Sequence, residues 1–345
     1  MMSDSLEASR QHPTAPEYDK IVTHHDFDGI VSAALCGWAL KIGRVVFAGP
    51  LSVTKGQITI TERDVVCDLP YPLQCGLWFD HHEGNIQEVG YRGIDSNTIP
   101  GRFDLKPSCS RVVYDYFSER MELPLYFLQA VAEADVIDSF AYASMDDWRR
   151  ETPGKVIDLT LKIRFPSAED QASYMRNLVQ HLRDRALEEV AALPFVQKHL
   201  KQYREEEGRM LRIIQEASYF LEQDEGREMV VIDLTPHRRR PHLTKNLAFL
   251  IHPQALGVLE IYSLTDRGVK SNNLGVSMSL SIHGNRGKRG KNIAEIMRNL
   301  NIGDGHPGAA AGTVRCASKQ EMLKKKKELL NQIFRLWASQ QTGGP

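Results

Sequence analysis

Short apolar runs alternate with stretches of helical periodicity along the first part of the chain. Four of these runs have the length of buried strands, and we predict strands at residues 18–23, 44–48, 64–67 and 76–79. Residues 29–41 instead repeat their apolar positions at near-helical spacing, and residues 123–134 do the same. Strands that alternate with helices predict a parallel sheet with helices on both of its faces.

The second half of the chain follows a different order. Residues 168–223 are strongly helical, and residues 199–222 form a long amphipathic segment that we predict as a connecting helix. Further strands are predicted at residues 229–234, 258–264 and 276–282, and helices at residues 291–300 and from Ser318 onward. Residues 140–165 are irregular and rich in Trp, Arg and acid, which indicates either a flap near a functional site or a surface connection.

These elements together predict an α/β fold with two lobes. An N-terminal parallel sheet is flanked by helices, and a smaller C-terminal α/β domain is joined to it by the long helix. A chain of 345 residues is long enough for two domains. The predicted divisions are a disordered lead at residues 1–17, a first domain at 18–195, a connecting helix at 196–226 and a second domain at 227–345.

Composition excludes several classes of protein. The formal net charge of −1 gives no global attraction to nucleic acid or to a membrane surface, which disfavours a polymer-binding nucleic-acid factor. The sequence has no apolar run of the roughly 18 residues that a transmembrane helix needs, and its first residues lack the apolar core of a signal peptide. The five cysteines are odd in number and form no C-x-x-C pair, so we expect reduced thiols in a cytoplasmic protein.

Acids and histidines cluster at the ends of the predicted strands. In chain order they are His24, Asp26 and Asp28, then Asp68, then Asp80, His81 and His82, and last Asp135. Ligands bind at the carboxyl ends of parallel strands, so the fold and the placement of these residues agree. Carboxylate oxygens together with imidazole nitrogens suit Mn²⁺, Fe²⁺ or Zn²⁺, whereas carboxylates alone suit Mg²⁺. Six or seven such ligands are enough for two adjacent ions, an arrangement that recurs in enzymes attacking phosphate esters.

Two sequence motifs carry a family resemblance that covers roughly residues 18–340. Asp80-His81-His82 resembles the signature of the DHH phosphoesterase superfamily. The run from Gly303 to Gly312, GDGHPGAAAG, resembles the G-G-G-H-x-x-A-A-G signature of the C-terminal domain associated with that superfamily. The second glycine of the signature is Asp304 here, and an acid at that position would weaken or tune the binding of an anion.

The resemblance implies a set of ligands for two divalent ions, with Mn²⁺ favoured and Mg²⁺ or Fe²⁺ as alternatives. The implied metal ligands are His24, Asp26, Asp28, Asp68, His81 and Asp135. The first ion would take His24 and Asp26, the second would take the others, and Asp68 would bridge the two through its two oxygens. Asp138 competes with Asp135 for the last place, and we favour Asp135 because the residues around it are more similar to the family pattern.

The resemblance also implies catalytic and substrate-binding residues. Asp80 would lie behind His81 and orient its imidazole, while His82 would face the substrate phosphate or act as general acid. The implied substrate-binding residues are Gly303, Gly305, His306, Gly308 and Arg286. Glycines let backbone N–H groups approach an anion closely, and His306 can donate to a phosphate oxygen.

These residues predict a metal-dependent phosphoesterase that cleaves phosphodiester bonds of short oligonucleotides or dinucleotides to nucleoside monophosphates. One alternative is an exopolyphosphatase or pyrophosphatase-like hydrolase of phosphoanhydrides, and a second is a catalytically silent nucleotide-binding module. Nucleotide substrates need a stacking surface, for which Tyr262 and Phe249 are candidates, although core packing is the favoured interpretation of both. The expected partner is the substrate itself, with no membrane and with a possible homodimer.

Overall fold

The protein folds around two separate β-sheets joined by a long helix. The computed structural model describes residues 17–285 and 291–340. The prediction of an α/β fold with two lobes is confirmed. The first sheet is fully parallel and flanked by helices, and the second sheet is accompanied by fewer described helices. Within the described residues, no helix combines the length and the apolar character needed to cross a lipid bilayer.

The first sheet has five parallel strands in the order β2-β1-β3-β4-β5. Its strands are β1 (Lys20–Thr23), β2 (Val45–Phe47), β3 (Asp64–Cys67), β4 (Leu77–Asp80) and β5 (Gly101–Phe103). The strands β3 and β4 are buried throughout, which is why they read as continuous apolar runs. The edge strand β5 is half-buried and only three residues long, so it left no periodic signal in the sequence.

Nine helices among the described residues cover this sheet. They are α1 (Phe27–Leu40), α2 (Pro50–Thr54), α3 (Glu83–Tyr91), α4 (Cys109–Ser118), α5 (Tyr126–Asp138), α6 (Met145–Arg149), α7 (Pro153–Leu161), α8 (Ala168–Asp184) and α9 (Leu187–Ala191). The irregular segment 140–165 therefore contains two helices, α6 and α7. Every residue of α7 after Pro153 is buried, so this segment is part of the first domain's interior and is more than a surface connection.

The connecting helix α10 (Pro194–Ala217) is displaced from its predicted position toward the N-terminus. It begins at Pro194, because proline is well suited to the first turn of a helix, where its missing N–H is not needed. It ends at Ala217, because the next two residues form a strand that pairs with the second sheet. The amphipathic pattern continues to residue 222 and so does not indicate that the helix ends at Ala217. The end depends on strand pairing with β7, which is a long-range interaction.

The second sheet has six strands in the order β10-β11-β9-β8-β7-β6. They are β6 (Ser218–Tyr219), β7 (Met229–Asp233), β8 (Gly257–Asp266), β9 (Val269–Leu280), β10 (Gly303–His306) and β11 (Ala309–Val314). Only β7 and β8 run parallel among these described pairs. The described helices of this domain are α11 (Ala248–Ile251), α12 (Ile282–Asn285), α13 (Ile293–Asn299) and α14 (Lys319–Ser339). A short 3₁₀ turn at Lys245–Leu247 precedes α11, and another lies in the first domain at Ser96–Thr98.

A glycine fixes the tight passage from β1 into α1. A Cβ atom added to Gly29 would lie 2.3 Å from the carbonyl oxygen of His24, and that oxygen belongs to rigid backbone. We expect Gly29→Ala to lower the free energy of unfolding by about 2–3 kcal/mol, because the overpacked backbone must shift.

Gly90 supplies the matched control for this substitution. It lies in α3, and an added Cβ would meet no atom within 4 Å. Gly90→Ala should therefore raise stability by about 0.5–1 kcal/mol through the better helix propensity of alanine. Urea unfolding of both variants measures the difference, and equal effects of the two would contradict the steric explanation.

Candidate metal centre

The turn after β1 supplies the first group of acids and imidazoles. Asp26 is the N-cap of α1, and its Oδ1 accepts a hydrogen bond of 2.9 Å from the backbone N–H of Gly29. Its other oxygen, Oδ2, lies 2.5 Å from Nδ1 of His24. Asp28 follows in the first turn of the helix and is buried. The H-x-D-x-D pattern thus places one imidazole and two carboxylates at the carboxyl end of β1.

Asp68 follows β3 in a strained backbone conformation. Its φ of 58° lies in the left-handed region, which is uncommon for a residue other than glycine. Its side chain is almost fully buried, yet within the described residues neither carboxylate oxygen has a hydrogen-bond partner. The nearest imidazole nitrogens, on His24, His81 and His82, are 3.6, 3.7 and 3.7 Å away, too far for good hydrogen bonds. Two buried carboxylate oxygens without hydrogen bonds fit the binding of a cation.

The D-H-H run follows β4 and is held by three different contacts. Asp80 accepts hydrogen bonds from Nδ1 of His82 at 2.7 Å and from the side-chain amide of Asn85 at 2.6 Å. His81 instead donates from Nδ1 to the carbonyl oxygen of Lys106 at 3.0 Å. The expectation that Asp80 orients His81 is therefore corrected, because Asp80 orients His82 and a backbone carbonyl orients His81. The Nε2 atom of His81 is left buried without a hydrogen-bond partner in the described part of the chain.

The structure gathers these side chains around Asp68. Four groups of three side chains could each hold an ion, because the three ligand atoms within a group lie within 4.8 Å of one another. Asp68 belongs to three of these groups. The groups are His24, Asp26 and Asp68; Asp28, Asp68 and His81; Asp68, Asp80 and His82; and His81, His82 and His306. The first two groups correspond to the two ion sites that the family resemblance implies, with Asp68 shared between them.

Asp135 is not brought into this cluster, and Asp138 is. The Oδ2 atom of Asp138 lies 3.4 Å from Nε2 of His81. Asp135 is engaged elsewhere, because Oδ1 accepts from the hydroxyl of Ser108 at 2.7 Å and Oδ2 accepts two hydrogen bonds from the guanidinium of Arg111 at 2.7 and 3.0 Å. The preference for Asp135 over its competitor does not fit this geometry. The two acids lie three residues apart at the end of α5, and only the last of them reaches the cluster.

Asp28 is anchored by the start of a neighbouring helix. Its two oxygens accept hydrogen bonds from the backbone N–H groups of Cys109 and Ser110, at 2.7 and 2.8 Å, in the first turn of α4. Its Oδ2 atom lies 4.0 Å from Nε2 of His81. Burial, followed by the nearby carboxylate of Asp68, raises the pKa of Asp28 to about 7 against the opposing effect of His81.

The excess of buried carboxylates controls the charge state of the histidines. Burial alone lowers the pKa values of His24 and His81, but the carboxylates of Asp26, Asp28 and Asp68 outweigh it and raise both to about 11. Burial raises the pKa of Asp68, yet the surrounding imidazoles hold it well below its usual range. Without metal, the protons on these imidazoles neutralise the carboxylates. Divalent ions fit this donor set, because they can take over that role and displace the protons.

His306 of the second domain completes the cluster. Its ring centroid lies 4.6 Å from that of His82 and 5.8 Å from that of His81. Burial, followed by the charges of His82 and His81, lowers the pKa of His306 to about 4, so its imidazole is neutral near pH 7. The two domains therefore meet at the metal centre, with one neutral imidazole available to hydrogen-bond a substrate.

The glycine-rich motif forms a β-hairpin, with a structural role for its glycines. Residues of β10 pair with β11 in antiparallel register, with His306 opposite Ala309. A Cβ on Gly303 would lie 1.9 Å from the carbonyl oxygen of Ala311, and one on Gly305 would lie 2.5 Å from that of Ala309. These two glycines thus allow close approach of the strands. Of the predicted substrate-binding residues, His306 and Gly308 line the adjoining cavity.

Two further residues of the predicted substrate-binding region are Asp304 and Arg286. Asp304, which departs from the motif, lies 2.8 Å from a guanidinium nitrogen of Arg298, so its charge is balanced at the surface. Arg286 lies outside the described residues.

A cavity of about 470 Å³ opens from the cluster between the two domains. Its volume is within the range of small-molecule sites. His81, Asp138 and His306 line one part of it, and the segment 140–165 contributes Phe140, Tyr142, Trp148, Lys155 and Asp158 to its wall. These residues were not named as functional candidates, although the aromatic residues of the segment were the available signal.

The predicted stacking candidates lie elsewhere. Phe249 is buried in the core, and Tyr262 lies under the guanidinium of Arg240 at 3.5 Å from the ring centroid. Neither is among the residues that line this cavity.

Comparison with known proteins was made by sequence and by structure. No protein-family model and no curated protein matches the sequence. Among solved structures, a pGpG-specific phosphodiesterase from Vibrio cholerae is similar with a TM-score of 0.66 and 23% identity, over 92% of this chain and 99% of the other. An exopolyphosphatase-related protein from Bacteroides fragilis has a TM-score of 0.53 and 12% identity, over 94% and 95%.

A third similar structure is the DHH domain of a member of the s1p family of ribosomal proteins. It has a TM-score of 0.52 and 11% identity, over 94% of this chain and 88% of that one. All three similarities extend over nearly the whole chain at low sequence identity, so they show a shared arrangement of both domains. The resemblance first indicated by the D-H-H and glycine-rich motifs is confirmed at the level of the fold, and the chain has the two-domain fold of the DHH proteins.

Proposed function

We propose that this protein is a divalent-metal-dependent phosphoesterase of the DHH superfamily that hydrolyses dinucleotides or short oligonucleotides to nucleoside monophosphates. One observation carries the proposal. Asp68 is shared among ligand groups on one side of a cavity whose wall also bears three aromatic side chains. A polyanionic substrate needs the cations, and a nucleobase needs the aromatic surface.

The ligands of the proposed ions follow from the grouping of side chains. His24 and Asp26 would hold one ion and Asp28, His81 and Asp138 the other, with Asp68 shared. The mixture of imidazole nitrogens and carboxylate oxygens favours Mn²⁺, with Fe²⁺ and Mg²⁺ as alternatives. When bound, such a pair supplies an activated water and neutralises charge on the phosphate.

The side chains around the ions have separate tasks in this proposal. Asp80 is a positioning residue, since it accepts the Nδ1 proton of His82 and so fixes the ring with Nε2 available to the phosphate or to the leaving oxygen. His306 approaches the same phosphate from the second domain as a neutral hydrogen-bonding group. Closure of the two domains around the substrate would exclude bulk water from the reacting bond.

Two similar structures bear on the choice of substrate. The similarity to a pGpG-specific phosphodiesterase supports a dinucleotide substrate. The exopolyphosphatase-related protein supports the alternative of phosphoanhydride hydrolysis, but the aromatic wall has no evident use for a substrate made only of phosphate. A silent nucleotide-binding module is disfavoured, because the described ligand set retains every acid that two ions need.

The experiment is a comparison of products. With Mn²⁺, the protein should release mononucleotide from a 5′-labelled RNA dinucleotide and should release no phosphate from inorganic polyphosphate, and chelation by EDTA should stop turnover. His82→Ala should lower kcat by about 10²- to 10⁴-fold, the usual range for loss of a general acid. His181→Ala, on the first domain's α8, is the control and should leave turnover unchanged. Phosphate release without nucleotide release would support the exopolyphosphatase alternative.

The cellular setting is also a proposal. All five cysteines are buried and free, which supports a reducing compartment such as the cytoplasm. The homodimer considered from the sequence stays a prediction.

A further inference from the structure

One part of the cavity wall has chemistry that the metal centre does not explain. Lys155 and Asp158 lie on α7, both are more than nine-tenths buried, and both line the cavity. Charged side chains are rarely buried without a strongly bound partner, because desolvation is unfavourable. These two residues therefore require a reason for being there.

Their mutual contacts leave hydrogen-bonding capacity unused. Lys155 Nζ lies 3.5 Å from Oδ2 of Asp158 and 3.4 Å from the hydroxyl of Tyr142, both at the outer limit for a hydrogen bond. Lys162 takes the same Oδ2 atom at 2.5 Å. Within residues 17–285 and 291–340, Oδ1 of Asp158 makes no hydrogen bond. A cationic donor and an anionic acceptor are thus available side by side in the cavity wall.

A second lysine–aspartate pair in the same domain shows the contrast. Lys20 Nζ lies 2.7 Å from Oδ2 of Asp64, and that oxygen also accepts hydrogen bonds from the backbone and side chain of Thr61. The contact between Lys155 and Asp158 is therefore looser than this ion pair and looser than the one that Asp158 makes with Lys162. Burial lowers the pKa of Lys155 to about 8 even though Asp158 raises it, and the ammonium lies 5.2 and 5.5 Å from the ring centroids of Tyr142 and Trp148.

The aromatic side chains beside this pair form a rigid surface. Phe140 packs edge-to-face against Tyr142 and Trp148, with ring centroids 5.4 and 5.7 Å apart. Phe140 also has a φ of 53°, a left-handed conformation that is strained for a bulky side chain. Such strain is concentrated at ligand-contacting segments, where it holds a side chain in place before binding.

We infer that Lys155, Asp158 and the neighbouring aromatic rings form a nucleobase subsite that prefers guanine. The inference rests on the proposed function. Guanine presents one acceptor, O6, beside two donors, N1–H and the N2 amino group, along a single edge. Lys155 would donate to O6 while Asp158 accepts from N1–H and the amino group, and the aromatic rings would contact the base.

Other occupants leave part of this wall unsatisfied. Adenine and uracil each offer a single donor on the corresponding edge, so one carboxylate contact is lost. A phosphate group would gain from Lys155 and Lys162, but it would face the carboxylate of Asp158 at close range. The wall therefore fits a base with adjacent donors better than it fits an anion.

The test is equilibrium binding of 5′-mononucleotides to the full chain by calorimetry, both in EDTA and with Mn²⁺. GMP should bind at least about tenfold more tightly than AMP or UMP, because a buried polar group left unpaired is unfavourable. IMP, which lacks only the N2 amino group of GMP, should fall between them. Equal affinities for GMP, AMP and UMP, or no binding of GMP, would overturn the inference.

Variants extend the test to the residues themselves. Asp158→Asn should lower GMP affinity about tenfold and leave AMP affinity nearly unchanged. Lys155→Met, which keeps the length of the side chain, should also reduce the preference for GMP. The exposed Asp184→Asn is the matched control and should bind GMP as the unmodified protein does. A retained preference for GMP in a folded Asp158→Asn variant would overturn the assignment.

The outcomes for the subsite and for the proposed function are distinguishable. Dinucleotide hydrolysis without any base preference would overturn the guanine subsite and leave the phosphodiesterase proposal intact. GMP selectivity without hydrolysis of any phosphodiester would support the subsite and overturn the proposed activity. The ligand series on the unmodified protein remains decisive even if a variant fails to fold.

Discussion

Asp68→Asn is expected to lower metal-dependent turnover by at least about 10³-fold, the largest effect of any single substitution in the protein. Asp68 belongs to three of the four candidate ligand groups, and both its oxygens lack hydrogen-bond partners in the described residues. Asparagine has nearly the same shape but no charge and only one oxygen, so it cannot serve two cations at once. Loss of several kcal/mol of charge stabilisation in the transition state gives a rate effect of this size.

The measurement is kcat for dinucleotide hydrolysis together with the number of Mn²⁺ ions bound per chain, determined by calorimetry. We expect Asp68→Asn to lose at least one bound ion. Asp19→Asn, an exposed acid paired with Arg63 near the start of β1, should bind metal and turn over normally. Undiminished metal stoichiometry in a folded Asp68→Asn variant would rule out a shared ligand at this position.

The second large effect is expected at Asp138. Its carboxylate lies 3.4 Å from Nε2 of His81, and burial together with the carboxylates of Asp28 and Asp68 raises its pKa well above the usual value. A cation placed among these groups would favour the ionised form of all of them. Asp138→Asn should therefore lower kcat by about 10²-fold or more and weaken binding of Mn²⁺.

Asp135→Asn is the informative comparison, because it changes a carboxylate one helical turn away. Asp135 holds Arg111 and Ser108, so its loss should lower the free energy of unfolding by about 2–3 kcal/mol, the usual size for hydrogen bonds to a charged group. Metal affinity should remain close to that of the unmodified protein. If Asp135→Asn abolishes metal binding while Asp138→Asn does not, the assignment implied by the family resemblance would be restored.

The sequence was sufficient for four of the five strands of the first sheet, all but the edge strand β5, and for the clustering of its acids. Strands β3 and β4 are buried throughout; Asp68 directly follows β3, and Asp80 is the last residue of β4. The apolar run predicted each strand, and the acid at its end predicted the site. The rule that parallel strands present their carboxyl ends together supplied the rest. Local pattern was enough here because burial on both faces leaves a strong signal.

The sequence could not decide which of two nearby side chains reaches the site, because that depends on the directions in which they point in the folded protein. Asp135 and Asp138 lie on one helix, and only the packing of α5 decides which of them reaches His81. In the same way, Asp80 precedes two adjacent histidines, and the turn after β4 decides that it contacts His82. Neither decision is encoded in spacing alone.

The cavity wall was missed for a related reason. The helices α6 and α7 are short and their sequence is polar in places, so the segment 140–165 has no clear periodicity. Its aromatic and charged residues line a cavity only because the second domain lies opposite them. Such a site is formed by tertiary contact between distant segments, so the sequence indicates it only through the composition of each segment.

The hairpin of β10 and β11 also determines how the gene encoding this protein can change. His306 and Ala309 are paired across a connection of two residues, and successive strand residues face opposite sides of a sheet. An insertion or deletion of a single codon within β10 would turn His306 away from the metal centre. Length is thus constrained in this short segment as strictly as the identities of Gly303 and Gly305, whose added Cβ atoms would clash with the facing strand.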